Sequence, residues 1–512
     1  MSADERVLSE AVDGATESVQ LPDHAPLARQ TLAYGLSGLI VPIVGMITLP
    51  IFARTFSQAQ YGILELATTT ASVALALTDA GLTAAALRGF YDYRSDEEGE
   101  RRAVLTTGFF TTTALAVVLA AAMIVLRRNV SQLVFGNPGE QTVVVLLAAG
   151  IPALNTWRYV SEVMRVRLQA FHYLATTLIA ATVSTVLTVV GILAFGWRVN
   201  GAIASGLVGS WAAATYGLVF VAASISGRFS RVQLRRMLAY GLPLVPAVLA
   251  AWALALIDRI ILSRLGSVAE VGQYAVANRL SSLLLIGLTA FLFALTPFLF
   301  ATYSEDPEQE KAARARTLTY LTFILTLTGL ILTLFAWEII RIVAPAFIEA
   351  YKAVGPLMLG ALGYGLVSLL TTGFALARKT GRLATLTLLA AGINIGLNFL
   401  LIPPWGIVGA AVATAVGYGA LAVAYYWASQ RVYWTPYEWK KVLLMIGLAT
   451  AFGAIGVLPL GSEAVAIPVK LLAVGAFLLA LGLSGTITRA ELIELKRFAH
   501  GMIPIKVGRL RA

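Results

Sequence analysis

Apolar runs of 20 residues and more recur along the whole chain. A helix of about 20 residues, rising about 1.5 Å per residue, crosses about 30 Å of hydrocarbon. In hydrocarbon, every backbone N–H and C=O must find its partner inside the spanning element. A transmembrane β-barrel would instead show weak alternation in segments of about 10 residues. Runs of this length therefore predict helices. Composition agrees: of 512 residues, 58% are hydrophobic and 13% charged, against about 45–50% and about 25% in soluble domains. A soluble two-domain enzyme is excluded. The expected fold class is all-α, a polytopic membrane protein with about 14 transmembrane helices.

The spans are expected near 30–53, 62–86, 104–126, 141–163, 173–195, 200–223, 239–261, 272–299, 317–337, 353–376, 383–402, 406–428, 442–460 and 466–486. Between 402 and 406, Pro403, Pro404 and Gly406 leave room only for a very tight turn. Placing the N-terminus in the cytoplasm puts 27 of the 38 Lys and Arg in cytoplasmic segments. That bias, repeated loop after loop, is the positive-inside pattern. It predicts a multi-pass protein of the cytoplasmic (inner) membrane with both termini inside. The same pattern explains the net charge of +11 without nucleic acid.

The polar segment 1–28 holds six acids. It lacks the basic start and apolar stretch of a signal peptide and reads as a disordered cytoplasmic tail. In the segment 488–512, Thr488 and Glu491 form a capping-box pattern. Leu492, Leu495 and Phe498 then share one side of a helix, which would either lie on the membrane surface or be solvated. There is no cysteine, and His24, His172 and His500 are scattered. No metal site or cofactor is expected. GxxxxGK[ST] is absent, so no nucleotide-hydrolysing P-loop is present.

Short strings recur at nearly one offset. "LAYGL" at Leu32–Leu36 returns at Leu238–Leu242, 206 residues on; "YGILELA" from Tyr61 resembles "VGQYAVA" from Val271, 210 on. "LAT" at Leu174 and Leu383, and "NGAIAS" from Asn200 against "VGAAVA" from Val408, follow at 209 and 208. The offset brackets six spans, so the repeat is parallel. The expected architecture is two six-helix lobes around a central cavity, 29–226 and 227–430, with two C-terminal helices in 431–487. Transporters built on such repeats place the substrate path between the lobes.

Four stretches carry a family resemblance: "LPIFARTFSQAQYGILELATT" from Leu49, "DAGLTAAALRGFYDY" from Asp79, "DRIILSRLGSVAEVGQYAVANRL" from Asp258, and "NIGLNFLLIPPWGIVGAAVAT" from Asn394. The chain resembles the polysaccharide transporter family of Wzx-type oligosaccharide flippases. That family belongs to the multidrug/oligosaccharidyl-lipid/polysaccharide exporter superfamily, and the resemblance covers roughly residues 28–486. It implies a non-enzyme that moves a polyprenyl-diphosphate-linked oligosaccharide across the cytoplasmic membrane by alternating access, for cell-surface polysaccharide biosynthesis. Implied partners are the lipid-linked oligosaccharide, the lipid bilayer, and the glycosyltransferases and polymerase of the pathway. Alternatives are an ion-coupled multidrug exporter of organic cations, a lipid II flippase, a membrane glycosyl ligase or polymerase, and a membrane scaffold. The short loops and the lack of a carboxylate cluster argue against the ligase.

Ionisable groups within spans are functional candidates. An anionic head calls for cavity cations, and the guanidinium fork suits phosphate oxygens. Arg279, with Asn278 before it, is the first candidate; the structural alternative is a pair with Asp258. Arg158 is the second, the alternative being an ion pair with Glu162 at i+4. Arg88 is the third, the alternative being the positive-inside rule. Asp79 has no cation at i±3 or i±4 and is a candidate ion-coupling site, or a helix cap before Gly81. Arg54, Glu65, Asp258 and Arg259 lie near outer span ends and are expected to anchor or gate. Asn394 and Asn398 are expected to bond between helices. Pro403 and Gly409 are structural, shaping a turn and a close helix contact.

Overall fold

The structure is a computed structural model that describes residues 24–376, 381–458 and 463–486. Most of the tail expected at 1–28 and all of the tail expected at 488–512 lie outside the described residues. Among the described residues there are helices and turns but no strand. Twelve helices there are long and apolar enough to cross a membrane. One of them, Gly381–Gln430, is two arms joined at Gly406, whose φ of 53° and ψ of −127° break the helix. Val268–Glu305, 38 residues long, is a further apolar helix. Counting the two arms separately and adding Val268–Glu305 brings the twelve to the fourteen expected.

The helices of the first repeat are α1 (His24–Thr55), α2 (Gln58–Asp79), α3 (Leu82–Tyr91), α4 (Glu98–Val125), α5 (Arg127–Phe135), α6 (Gln141–Val166), α7 (Ala170–Phe195) and α8 (Val199–Val221). A linker helix α9 (Arg231–Gly241) leads to α10 (Val245–Leu265), α11 (Val268–Glu305), α12 (Pro307–Leu334), α13 (Ala336–Val343), α14 (Tyr351–Leu376) and the bent α15 (Gly381–Gln430). α16 (Trp439–Gly453) and α17 (Glu463–Leu483) follow. In the first lobe α8 packs on α6 and α7, and α1 on α7. In the second, α15 packs on α14 and α10, and α11 on α14. α16 rests on α12.

The span expected at 62–86 divides in two. Ala80 (φ 43°) and Gly81 (φ 72°) are both left-handed and separate α2 from α3. A methyl group on Gly81 would lie 2.7 Å from the Gly241 carbonyl, so this break lets the backbone approach the linker closely. The helix expected from 239 starts at Val245, after the separate helix α9. The hairpin of α15 turns as sharply as expected. A methyl on Gly409 would lie 2.1 Å from the Leu401 carbonyl, so the arms fold back where only glycine fits.

The repeat is visible in how helices begin. Ser57 caps α2 by accepting from the Gln60 amide at 3.2 Å, and Ser267 caps α11 by accepting from the Glu270 amide at 3.2 Å. These residues are 210 apart. Their helices meet at the end of the molecule opposite the arginine-rich loops, called here the distal end; the arginine-rich end is the basic end. A methyl on Gly62 would sit 1.9 Å from the Val268 carbonyl, and one on Gly272 would sit 2.1 Å from the Gln58 carbonyl. Both pairs are the same contact read from each repeat. Helices in lipid associate through such close approach of small residues. The Gln273 side-chain amide donates a hydrogen bond of 3.0 Å to the Gln58 side-chain oxygen across the seam.

Candidate functional site between the lobes

Just below that seam lies a cavity of about 170 Å³. α1 contributes Gly45 and Thr48, α2 contributes Tyr61, Glu65 and Thr68, and α11 contributes Arg279. Helical spacing explains the α2 set: 61, 65 and 68 fall on one face at i, i+4 and i+7. Gly45 makes room for the arginine, since a methyl there would lie 2.7 Å from an Arg279 guanidinium nitrogen. The guanidinium lies beside the Tyr61 hydroxyl, with Glu65 in electrostatic reach. Among the described residues Arg279 forms no ion pair, and Asp258 is held elsewhere.

Glu65, half-buried on the wall of this cavity, is joined to the buried pair Asp258 and Arg259 behind it. The Arg259 Nε donates to Glu65 at 2.9 Å, and its Nη1 donates to Asp258 at 2.7 Å and to the Ala255 carbonyl at 2.9 Å. The second Asp258 oxygen accepts from the Tyr274 hydroxyl at 2.5 Å and from Thr414 at 3.1 Å. The pair expected between Arg279 and Asp258 is therefore replaced by one between neighbours on α10. Successive side chains on a helix do not face each other; the Arg259 guanidinium folds back to Asp258 and is held there by the Ala255 carbonyl, while Tyr274 and Thr414 fix the carboxylate. Arg259 is 3% exposed, and its bond to Glu65 joins the second repeat to the first. Arg54 donates to the Ile342 carbonyl at 3.2 Å, a tie between α1 and α13.

The other candidates do not line this cavity. Asn278 is half-buried on α11. Arg88 is exposed at the basic end, 4.8 Å above the Tyr240 ring. Arg158 is exposed on α6, and Glu162 pairs with Arg165 at 2.5 Å rather than with Arg158. The i,i+3 neighbour thus takes the place of the expected i,i+4 one. Asp79 is 8% exposed at the end of α2. Its carboxylate accepts from Thr83 across the break before α3. Asn394 and Asn398 are fully buried but bond along their own helix: the Asn398 amide donates to the Asn394 carbonyl at 2.9 Å and to its side-chain oxygen at 3.1 Å. The facing position is Gly417, which offers no side chain.

Sequence reasoning missed Gly45, Thr48, Thr68, Tyr274 and Thr414. Glycines and hydroxyl residues are both common in these spans, and nothing in one chain sets these apart. Tyr61, Thr68, Tyr274 and Thr414 all stood in the quoted stretches, but without a role.

A family model described as "Polysaccharide biosynthesis protein" matches residues 27–303, more than half of the chain. The chain belongs to that polysaccharide biosynthesis protein family. A relative among curated proteins, an uncharacterized membrane protein of Methanocaldococcus jannaschii, is 28% identical over 228 residues. The match spans 43% of this chain and 44% of that relative. Among solved structures, the lipid II flippase MurJ in an inward closed conformation is similar at a TM-score of 0.69 and 14% identity, covering 88% of this chain and 98% of that one. An inward-facing multidrug resistance MATE family transporter gives 0.59 and 17%, covering 79% and 94%. A MOP superfamily transporter from Pyrococcus furiosus gives 0.57 and 14%, covering 79% and 95%. At these identities the likeness shows the fold. This family member therefore has the fold of MurJ and the MATE transporters.

Proposed function

We propose that this protein is a flippase that moves a polyprenyl-diphosphate-linked oligosaccharide across the cytoplasmic membrane. The observation that carries the reading is Arg279, a guanidinium facing a cavity between the repeats that forms no ion pair among the described residues. A buried cation in hydrocarbon is costly unless it serves a path or a partner. A diphosphate is such a partner, and the Thr48, Tyr61 and Thr68 hydroxyls nearby suit the oxygens of phosphate and sugar. The head group cannot cross hydrocarbon unaided, while its lipid can stay in the bilayer. Family membership and fold support the same reading.

In this reading the lobes 29–226 and 227–430 rock about the cavity, and the helices of 431–487 accompany the second. The arginine-rich end faces the cytoplasm, so substrate enters there and leaves at the distal end, where the Gly62 and Gly272 seam must open. Arg88 and Arg158, exposed at the basic end, are first contacts for the anionic head. Asp79 is the group we assign to coupling with a proton or sodium gradient. An exporter of organic cations would need carboxylates, not a guanidinium, free in the cavity.

Reconstitution tests this. A fluorescent polyprenyl-diphosphate oligosaccharide in proteoliposomes should exchange leaflets with the wild type and fail to do so with Arg279→Ala. No exchange by the wild type under either ion gradient would overturn the function. Equal exchange by both would remove Arg279 from the site.

A further inference from the structure

Glu65 lies on the cavity wall with Arg279, yet its carboxylate is bonded to Arg259 of the other repeat at 2.9 Å. Arg259 does not depend on it for position. The Asp258 carboxylate and the Ala255 carbonyl hold the same guanidinium at 2.7 and 2.9 Å. Asp258 and Arg259 neutralise each other, so Glu65 is the charge that balances Arg279. Removing it would leave the cavity one positive charge richer.

We propose that Glu65 is an internal competitor of the substrate's anion, and that displacing it is what loosens the distal seam. This rests on the diphosphate reading of the cavity. A diphosphate at Arg279 brings negative charge beside Glu65 in a medium of low dielectric, where like charges repel strongly. The same dianion attracts Arg259. Both effects act against the Glu65–Arg259 bond, which joins the repeats one helical turn below the contact of Gly62 with Val268. Ligand binding and opening of the seam are thereby linked through one carboxylate. Glu65 is a positioning residue with a distinctive sign: its loss should strengthen binding of an anion, whereas loss of a ligand-binding residue weakens it.

The chain has no cysteine, so a spin-label pair at Ala59→Cys and Ala269→Cys reports on the seam without other substitutions. Farnesyl diphosphate binding in lipid nanodiscs is the second readout. Glu65→Gln should bind farnesyl diphosphate about tenfold more tightly than wild type, a change of about 1.4 kcal/mol. It should also lengthen and broaden the label distance before any ligand is added. Glu65→Asp should restore both toward wild type, and Arg279→Gln should weaken binding. Unchanged or weaker binding by Glu65→Gln would overturn the proposal. So would an unchanged label distance, since Glu65 would then hold nothing closed. If neither wild type nor Arg279→Gln binds the diphosphate, the reading of the cavity fails and the displacement with it. A label shift in Glu65→Gln would then mark Glu65 as a structural tie only.

Discussion

Gly62 of α2 packs so closely against Val268 of α11 that a methyl group in its place would lie 1.9 Å from the Val268 carbonyl oxygen. The same contact recurs 210 residues on, with Gly272 against Gln58. The two repeats thus close the distal end by one contact used twice. A substitution at Gly62 cannot be absorbed by rotating a side chain, because the obstacle is backbone. Gly62→Leu is expected to push α2 and α11 apart, toward the roughly 8–10 Å axis separation of ordinary helix packing. The Ala59→Cys and Ala269→Cys label pair measures this. Gly287→Ala, where nothing lies within 4 Å, should leave the distance unchanged.

Arg279 offers a graded test. Arg279→Lys keeps the charge but loses the fork that holds two oxygens at once. It should retain a measurable part of the exchange rate, while Arg279→Ala should lose nearly all of it. Truncating one partner of a buried charge pair typically costs about 2–5 kcal/mol. Flip rates in proteoliposomes, read at several substrate concentrations, separate lost binding from lost turnover.

Asp79 ends α2 with its carboxylate on the Thr83 hydroxyl. As the proposed coupling group, its replacement in Asp79→Asn should abolish acceleration by a proton or sodium gradient and leave gradient-free exchange in place. Thr83→Val should shift the gradient response less, since the carboxylate remains. An unchanged gradient response in Asp79→Asn would remove it from this role.

Arg314 sits at the basic end of α12, 1% exposed, 3.4 Å from the fully buried Glu310. Its guanidinium also donates to Thr435 and lies 4.6 Å from the Tyr433 ring. Breaking a buried pair by removing one member typically costs about 3–5 kcal/mol. Arg314→Met should therefore lower the unfolding temperature markedly, and adding Glu310→Leu should recover much of the loss. Thermal unfolding in detergent or nanodiscs reads both.

The Tyr433 hydroxyl donates to the same Glu310 at 2.8 Å. Burial, and then the Glu310 carboxylate, push its phenol above the ordinary range. A group raised on folding stabilises below its unfolded pKa, and that stability is lost as pH rises through the folded value. The Tyr433 contribution should thus persist across neutral and mildly alkaline pH and fall away only in strong base. In Tyr433→Phe the alkaline part of the stability profile should flatten.

Much of this protein is a consequence of its sequence. Runs of about 20 apolar residues leave a backbone in lipid no choice but helix, so the class and the number of spans follow from hydropathy. The turn at Gly406 follows from Pro403 and Pro404, and the parallel repeat follows from strings recurring at one offset. Arg279 was singled out because a cation inside an apolar run is rare. Which partner each charge takes was decided by the tertiary structure alone. Asp258 and Arg259 pair as chain neighbours, Glu65 reaches Arg259 from 194 residues away, and Glu162 turns to Arg165 rather than Arg158. The break after Asp79 depends on the approach of Gly81 to Gly241, which no local pattern encodes. Hydropathy sets how each segment meets lipid. Pairing depends on directions and distances that exist only once the helices are packed.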